Sequence, residues 1–521
     1  MIMPVCNKIR KKYNGSILPF ILIIMTVVLI ILLSLLSYIS AQMKYSYVQV
    51  EREKAFQTAE AGIYYYRWYL AHQIAGKTVQ QIKTFWQTGN PLGVATPYRA
   101  DYYDPEGGKI GSYEISVTPP DPNSTIVIVK STGWTDKKPD LKRIVQARFR
   151  RPSWSEYAVL ANDFMRFGQG TEVFGKIHSN AGIRFDGLAH NIVSSALSTF
   201  DDPDHSGGAE FSVHTHVNPP PQTGVNDTYR SAEAPPNTPA KRADVFLGGR
   251  QFLTPTVDFN GVVSDLGNMK TESQIAGSGK YFDGTGVGRQ IILKTDGTFD
   301  AYPVNAFDSG DSNSITSYIG TKNSDGSGSS CATTVTTAGP NTQCKDITSG
   351  QKCYCKHDNY PIPNGGVIFV ENNVWLEGTV NNKRVTIAAA KLSGSNTATM
   401  FLGNNNLLYT NFNGKDVLGV IGQNDIEIIE NSQNYLTIDG ALIAQTGRVG
   451  RDNYGSSDHK NSITVNGSLA TNLRYGFAWT NGVSDWGYTT RVLNFDNNLL
   501  YFPPPYFPTG TEYAIDLWEE L

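Results

Sequence analysis

At 521 residues the chain is too long for a single ordinary domain, so two or three are expected. Charged residues make up only 17%, which argues against a long disordered tail, and the formal net charge of −3 leaves no basic surplus for nucleic-acid binding. Fifty glycines, 26 prolines and 27 tyrosines favour strands and turns over helices.

The first element is an apolar run. Lys8, Arg10, Lys11 and Lys12 precede it, and no charged residue occurs between Lys12 and Lys44. Ile17 to Leu33 holds one polar residue, Thr26, and the apolar character continues to Ile39. At ~1.5 Å per residue, ~20 such residues cross a bilayer core of about 30 Å. A cleavable secretory signal has a shorter apolar core and a small-residue cleavage site, which Ser37-Tyr-Ile-Ser-Ala41 matches poorly. Residues 37–75 lack proline and carry one glycine, Gly62, so a single helix is predicted from Ser16 to about Ala75, roughly 90 Å long. Phe56, Ala59, Ile63, Tyr66, Leu70 and Ile74 recur every three or four positions, a stripe that should pack on a globular head while Glu51, Arg52, Glu53, Lys54 and Arg67 face water.

Gly15 ahead of the apolar run, together with Ala59-Glu60-Ala61-Gly62 further along the helix, resembles the N-terminus of type IV pilins, and more closely of PilX-type minor pilins and related pseudopilins. The resemblance implies a leader of residues 1–15, removed by a prepilin peptidase between Gly15 and Ser16 on the cytoplasmic side. Its removal takes away four positive charges and no acid, shifting −3 to −7. The resemblance also implies partners: other pilins and minor pilins, an inner-membrane assembly platform, and membrane lipid around the segment 16–40. Two positions depart from the family pattern. Phe20 stands where most pilins carry Glu, and Ser16 stands where Phe or Met is usual.

Residues 76–99 read as irregular. Strand signals follow at Tyr113–Thr118, Thr125–Ser131 and Lys142–Arg150, with a boundary at Arg151-Pro152-Ser153. A long helix followed by a short antiparallel sheet resembles a pilin head, here 76–152. From Tyr157 onward short β-rich runs alternate with Gly/Asn turns, as in Gly366-Val-Ile-Phe-Val, Arg384-Val-Thr-Ile-Ala-Ala-Ala and Leu436-Thr-Ile-Asp-Gly-Ala-Leu-Ile-Ala. Their uneven spacing fits the coils of a parallel β-helix, with an antiparallel sandwich as the alternative. The fold class is therefore α+β: a transmembrane and pilin-type helix, a small antiparallel head, and a large all-β, β-helix-like domain over 153–521.

Two segments interrupt the strands. Residues 188–242, rich in Pro, Asp, Ser and His, should loop over the surface. Residues 308–362 are Gly/Ser/Thr-rich and hold Cys331, Cys344, Cys353 and Cys355. The even, tight cluster reads as two disulfides, with zinc binding beside His357 as the alternative. Between these segments, Val257–Lys270 should include a short helix and Gln290–Tyr302 a hairpin turning at Asp-Gly. The aromatic, proline-rich C-terminus from Leu500 reads as a strap across the end of the β-domain, or as a docking tail.

Catalytic signals are thin. His178, His190, His205, His214 and His216 fall within 40 residues, and His214-x-His216 on a strand would point both imidazoles to one face. No acid follows at a diagnostic spacing, and Asp201, Asp202 and Asp204 lack the rest of a calcium loop, so the reading is a solvated loop with no metal and no cofactor. There is no G-x-S-x-G, H-E-x-x-H or Walker motif. Asp425, Glu427, Asp439 and Asp452 are the carboxylates a glycosidase on this fold would draw on, but their spacing singles out no pair, and no catalytic residue is assigned. The resulting expectation is a single-pass membrane protein with an external C-terminal domain, assembled into a surface pilus at its tip through Phe20, Ala59, Glu60, Ala61 and Gly62. The alternatives are a pilus-borne adhesin for surface glycan and an anchored carbohydrate-active enzyme.

Overall fold

The computed structural model describes residues 17–521 apart from 78, 122–123, 260–261, 311, 323–328, 335–353, 356–357, 482–483 and 510–512. One helix, α1, runs from Ile17 to Ile74. Its first 32 residues, 17–48, are exposed along their whole length, and the apolar part is long enough to cross a membrane. From Glu51 the character changes, and Ala55, Ala59, Ile63, Tyr66, Leu70 and Ile74 are buried at helical spacing, as the stripe predicts.

That stripe lies on an antiparallel sheet of five strands. Four are sequential: β1 (Tyr98–Tyr103), β2 (Lys109–Thr118), β3 (Val127–Thr135) and β4 (Lys138–Arg150). The fifth, Ala514–Glu520, is the end of the chain and pairs with β4. The approach of α1 to the sheet is close. A Cβ on Gly133 would sit 2.3 Å from the Ala59 backbone N, and one on Gly62 would sit 2.2 Å from Ser131 Oγ. The span read as irregular contains a short helix, α2 (Val79–Gln87), which buries Ile82, Phe85 and Trp86 against the same core. The i, i+3, i+4 spacing of these three residues carried that signal.

The β-rich domain is a parallel, three-faced solenoid rather than a sandwich. Along its first face, parallel neighbours run Gly279–Phe282, Val367–Val370, Arg384–Ala389 and Val417–Gly422, then the ends of Tyr435–Ala444 and His459–Thr471. The next neighbours are the first strands of the domain in sequence: Val159–Ala161, Ile177–Ser179 and Val193–Ser195. The chain thus joins the solenoid in its middle, builds one end, crosses to the far end, and coils back. Ser153 on the way in bridges Thr509 on the way out, so the whole solenoid is inserted between β4 and the last strand of the head.

The solenoid interior is lined by Val, Ile, Leu and Phe. The first face is apolar on its outer side too, at Phe369, Ala388, Ile421 and Ile443, because its strands carry apolar residues at consecutive positions. That outer side is covered by α3 (Val262–Ser273), through Leu266 and Met269, and by Leu499 and Phe507. The C-terminal strap therefore covers a flank, not an end as expected, and beyond it the chain returns to the head. Buried polar ladders turn one corner: Asn494 Nδ2 donates to Asn466 Oδ1 and Asn466 Nδ2 to Asp439 Oδ1, each at 2.8 Å, in successive coils.

The coil strands continue through Leu188–Ala189 and Val193–Ser195, so the excursion expected from 188 leaves the solenoid only after Ser195, touches its third face at Val213–His214, and rejoins the first face at Arg250–Gln251. The expected hairpin is present, with Gly288–Leu293 antiparallel to Thr298–Phe307 and the turn at Asp296-Gly297. The second excursion extends this hairpin as further antiparallel strands.

Candidate functional site

Three places hold chemistry: the bare half of α1, a buried histidine–carboxylate cluster, and a polar cleft beside that cluster.

Of the residues the resemblance singled out, Gly15 and Ser16 lie outside the described residues. Phe20 is 66% exposed, in the first turn of α1 at the start of its apolar surface. Ala59 and Gly62 face the sheet, where only small side chains let the helix axis approach this closely, while Glu60 and Ala61 are half-buried at its side. Glu51, expected in water, is buried, and Thr135 Oγ1 donates to its Oε2 at 2.6 Å. This pairing satisfies an acid at the point where the helix first meets the sheet.

The histidine reading needs a larger correction. The loop taken as solvated folds back on the third face, the stack of Met165–Phe167, Ile183–Phe185 and Val213–His214. Thr199–Phe200 pairs with Glu210–Phe211, which brings Asp202 and Glu210 over His214 and His216. Asp202 is 1% exposed, and Glu210, His214 and His216 are fully buried. One ligating atom from each of these four lies within 4.8 Å of all the others. Glu210 Oε2 is 3.4 Å from His214 Nε2 and 3.2 Å from His216 Nε2, and Asp202 Oδ2 is 3.5 Å from His214 Nε2. His205 Nε2 stands beside the group, 3.1 Å from Glu210 Oε2. His178 and His190 are elsewhere, the first against Ser194 and the second against Glu172.

The outer nitrogens are fixed. His214 Nδ1 lies 2.9 Å from the Phe211 carbonyl oxygen and His216 Nδ1 2.7 Å from that of Asn226. A carbonyl only accepts, so both Nδ1 atoms carry protons and both Nε2 atoms turn inward. Burial opposes ionisation of Asp202, but hydrogen bonding from His214 and from the Asp204 N–H outweighs it and holds the carboxyl below its usual range. Glu210 is likewise held low against its burial, by His216, His214 and the Arg230 N–H. Beneath them Arg184, fully buried, pairs with Asp186 at 2.7 Å and with Asp227. Sequence reasoning missed Glu210, because 202, 210, 214 and 216 match no familiar spacing.

A cleft of about 570 Å³ opens where the excursion meets the solenoid. Arg166 and Arg474 on the solenoid face Asp204 and Asp227 on the excursion, and Trp479 forms part of the wall. The carboxylates named as glycosidase candidates lie apart from this cleft, bonded within the coils. Burial raises Asp425, which accepts the Arg448 N–H at 2.7 Å, and burial also raises Asp439, which accepts the Tyr409 N–H at 2.8 Å. Glu427 is pushed up to about 8 by burial and by the charge of Asp452. Of the cysteines, Cys344 and Cys353 lie outside the described residues, as does His357. Cys331 and Cys355 pair in register with Gly320 from opposite sides of one strand.

No family model and no curated protein matches the chain. Among solved structures, the competence-associated pilin ComZ from Thermus thermophilus aligns over 90% of this chain and 97% of its own, at 13% identity and a TM-score of 0.29. So loose a likeness carries no argument about function, which has to come from the chain's own residues.

Proposed function

We propose that the protein is a PilX-type minor pilin or pseudopilin, held in the membrane by the first half of α1 and then assembled through that half into a filament. The observation that carries this is the continuity of α1. One helix is bare and apolar over 17–39, yet locked to an antiparallel sheet from Ala55 onward, so its free half is rigidly presented to a partner. This segment of about 23 residues, some 20 of them apolar, spans ~35 Å, enough for a bilayer core and equally for a bundle of like helices. The partners are membrane lipid, a prepilin peptidase acting between Gly15 and Ser16, an assembly platform, and other pilins. Phe20 in place of a carboxylate leaves the new amine of a neighbouring subunit without a counter-charge in apolar surroundings, which favours the filament end over its interior. The bulk of the inserted solenoid points the same way. Immunogold labelling of filaments tests this: gold at the ends is expected, and gold spread along the shaft contradicts the tip assignment.

The cleft favours a second role as an adhesin, since guanidinium and carboxylate groups beside Trp479 suit a glycan. Loss of glycan-array binding by the detergent-solubilised chain on Trp479→Ala would support it, and an array with no hits would remove it. The cysteine cluster fits two disulfides. Strands on opposite sides of one strand lie ~10 Å apart, beyond disulfide reach, which leaves Cys331 to Cys344 or Cys353. Peptide mapping under non-reducing conditions that found Cys331 joined to Cys355 would overturn this.

A further inference from the structure

Three imidazoles converge on one carboxylate oxygen, and two of them commit their Nδ1 proton to the outer side. With Nδ1–H committed to the Phe211 and Asn226 carbonyls, Nε2 is the atom that His214 and His216 each turn to Glu210 Oε2. A buried face-off of that kind needs a positive charge between the atoms, a second proton on each ring or one metal ion shared by all four side chains. The spacing leaves room for one. Ligands at about 2.0–2.1 Å from a tetrahedral centre stand ~3.3 Å apart. The observed nitrogen–oxygen separations of 3.2, 3.4 and 3.5 Å bracket that value. The charge also fits. Asp202 and Glu210 bring two carboxylates to the two imidazole nitrogens, a donor set that a divalent ion takes.

We infer that Asp202, Glu210, His214 and His216 form a closed site for a divalent first-row transition ion, zinc fitting best, which staples the excursion after Ser195 to the third face. Two nitrogens and two oxygens in tetrahedral array suit zinc, whereas calcium takes six to eight oxygens. The carbonyl-bonded Nδ1 atoms are the outer contacts that orient metal-bound histidines. Full burial marks a structural site rather than one with an open position for substrate. Asp202 and Glu210 come from the hairpin of the excursion and His214 from the solenoid strand, so the ion ties one to the other. On either side of that strand the excursion carries few buried apolar residues, Phe211, Val245 and Phe246 among them, and gains most from such a tie. Asp204 and Asp227 on the same excursion wall the cleft, so the ion would also set the cleft's shape.

The test uses the full-length chain in detergent, without a histidine tag, stripped by a chelator and reloaded with Zn²⁺ or Co²⁺. About one bound zinc per chain by elemental analysis is expected, together with a Co²⁺ spectrum free of thiolate charge transfer, which separates this site from the cysteine cluster. Glu210→Gln should weaken binding at least about tenfold, and His214→Ala with His216→Ala should abolish it, while Cys355→Ser leaves it unchanged. Chelation should open 217–245 to limited proteolysis. No binding by the wild-type chain at saturating Zn²⁺, a thiolate signature, or full binding by the double histidine variant would each overturn the site. Where the double variant fails to fold, the wild-type stoichiometry and Co²⁺ spectrum decide.

Discussion

The head and the solenoid meet the problem of buried polar groups in opposite ways. The head buries little charge: α1 lies on its sheet through Ala55, Ala59, Gly62 and Ile63, and Glu51 with Thr135 is the polar contact at its edge. The solenoid buries ionisable groups throughout, including Arg184, Arg451, Glu427 and the Asp202–Glu210 cluster. Packing of small residues makes the head a rigid mount for a helix whose other half is exposed. Buried ionisable groups make the solenoid responsive to conditions outside it, to pH at Glu427 and to metal at the histidine cluster.

The sharpest break of this contrast is Arg451→Met. Arg451 is fully buried, donates to Ser432 Oγ and the Glu430 carbonyl at 3.0 Å each, and pairs with Asp458. Removing one partner of a buried pair costs about 3–5 kcal/mol. Faster hydrogen exchange is expected over 426–467, with 98–150 unchanged. Gly133→Val does the converse. Its Cβ meets the Ala59 and Ala55 backbone at 2.3 and 2.4 Å, where nothing flexible can yield, and overpacking there should cost about 3 kcal/mol. Exchange should then rise in β2–β4 and in 51–74 while the solenoid holds.

The pH response sharpens the same contrast. Glu427 has its folded pKa raised to about 8, above the ordinary carboxylate value it regains on unfolding. Between about pH 5 and 8 the folded chain therefore keeps a proton that the unfolded chain has released, and stability falls as pH rises, by up to ~1.4 kcal/mol per unit. Denaturant midpoints of the solenoid at pH 5.5 and 7.5 should differ in this sense, and the difference should shrink in Glu427→Gln. The smallest effect is expected for Glu51→Ala in the head. Loss of the bond from Thr135 should cost about 1–2 kcal/mol, read as a lower melting temperature with the solenoid's exchange unaltered.

Much of the architecture was legible because it is periodic. The stripe Ala59, Ile63, Tyr66, Leu70, Ile74 gave the helix its buried face, and the short apolar runs with Gly/Asn corners gave the coils. Stacking order was not legible. No coil strand specifies its own neighbour, and nothing local in Val159–Ala161 says that it pairs with Leu469–Thr471. The last strand was missed for the same reason, since its partner β4 lies over 360 residues earlier. At the histidine cluster the sequence supplied His214-x-His216 and Asp202, but burial, the outward hydrogen bonds and Glu210 exist only once Thr199–Phe200 has paired with Glu210–Phe211.

The central claim is that α1 begins at a processed end and serves first as anchor, then as assembly surface. Co-expression of the full chain with a prepilin peptidase, followed by intact-mass measurement of the membrane fraction, tests it most directly. A mature N-terminus at Ser16 is expected, dependent on the peptidase and lost on Gly15→Val. A chain that keeps residues 1–15, or that is cut after residue 41 and released from the membrane, would contradict it.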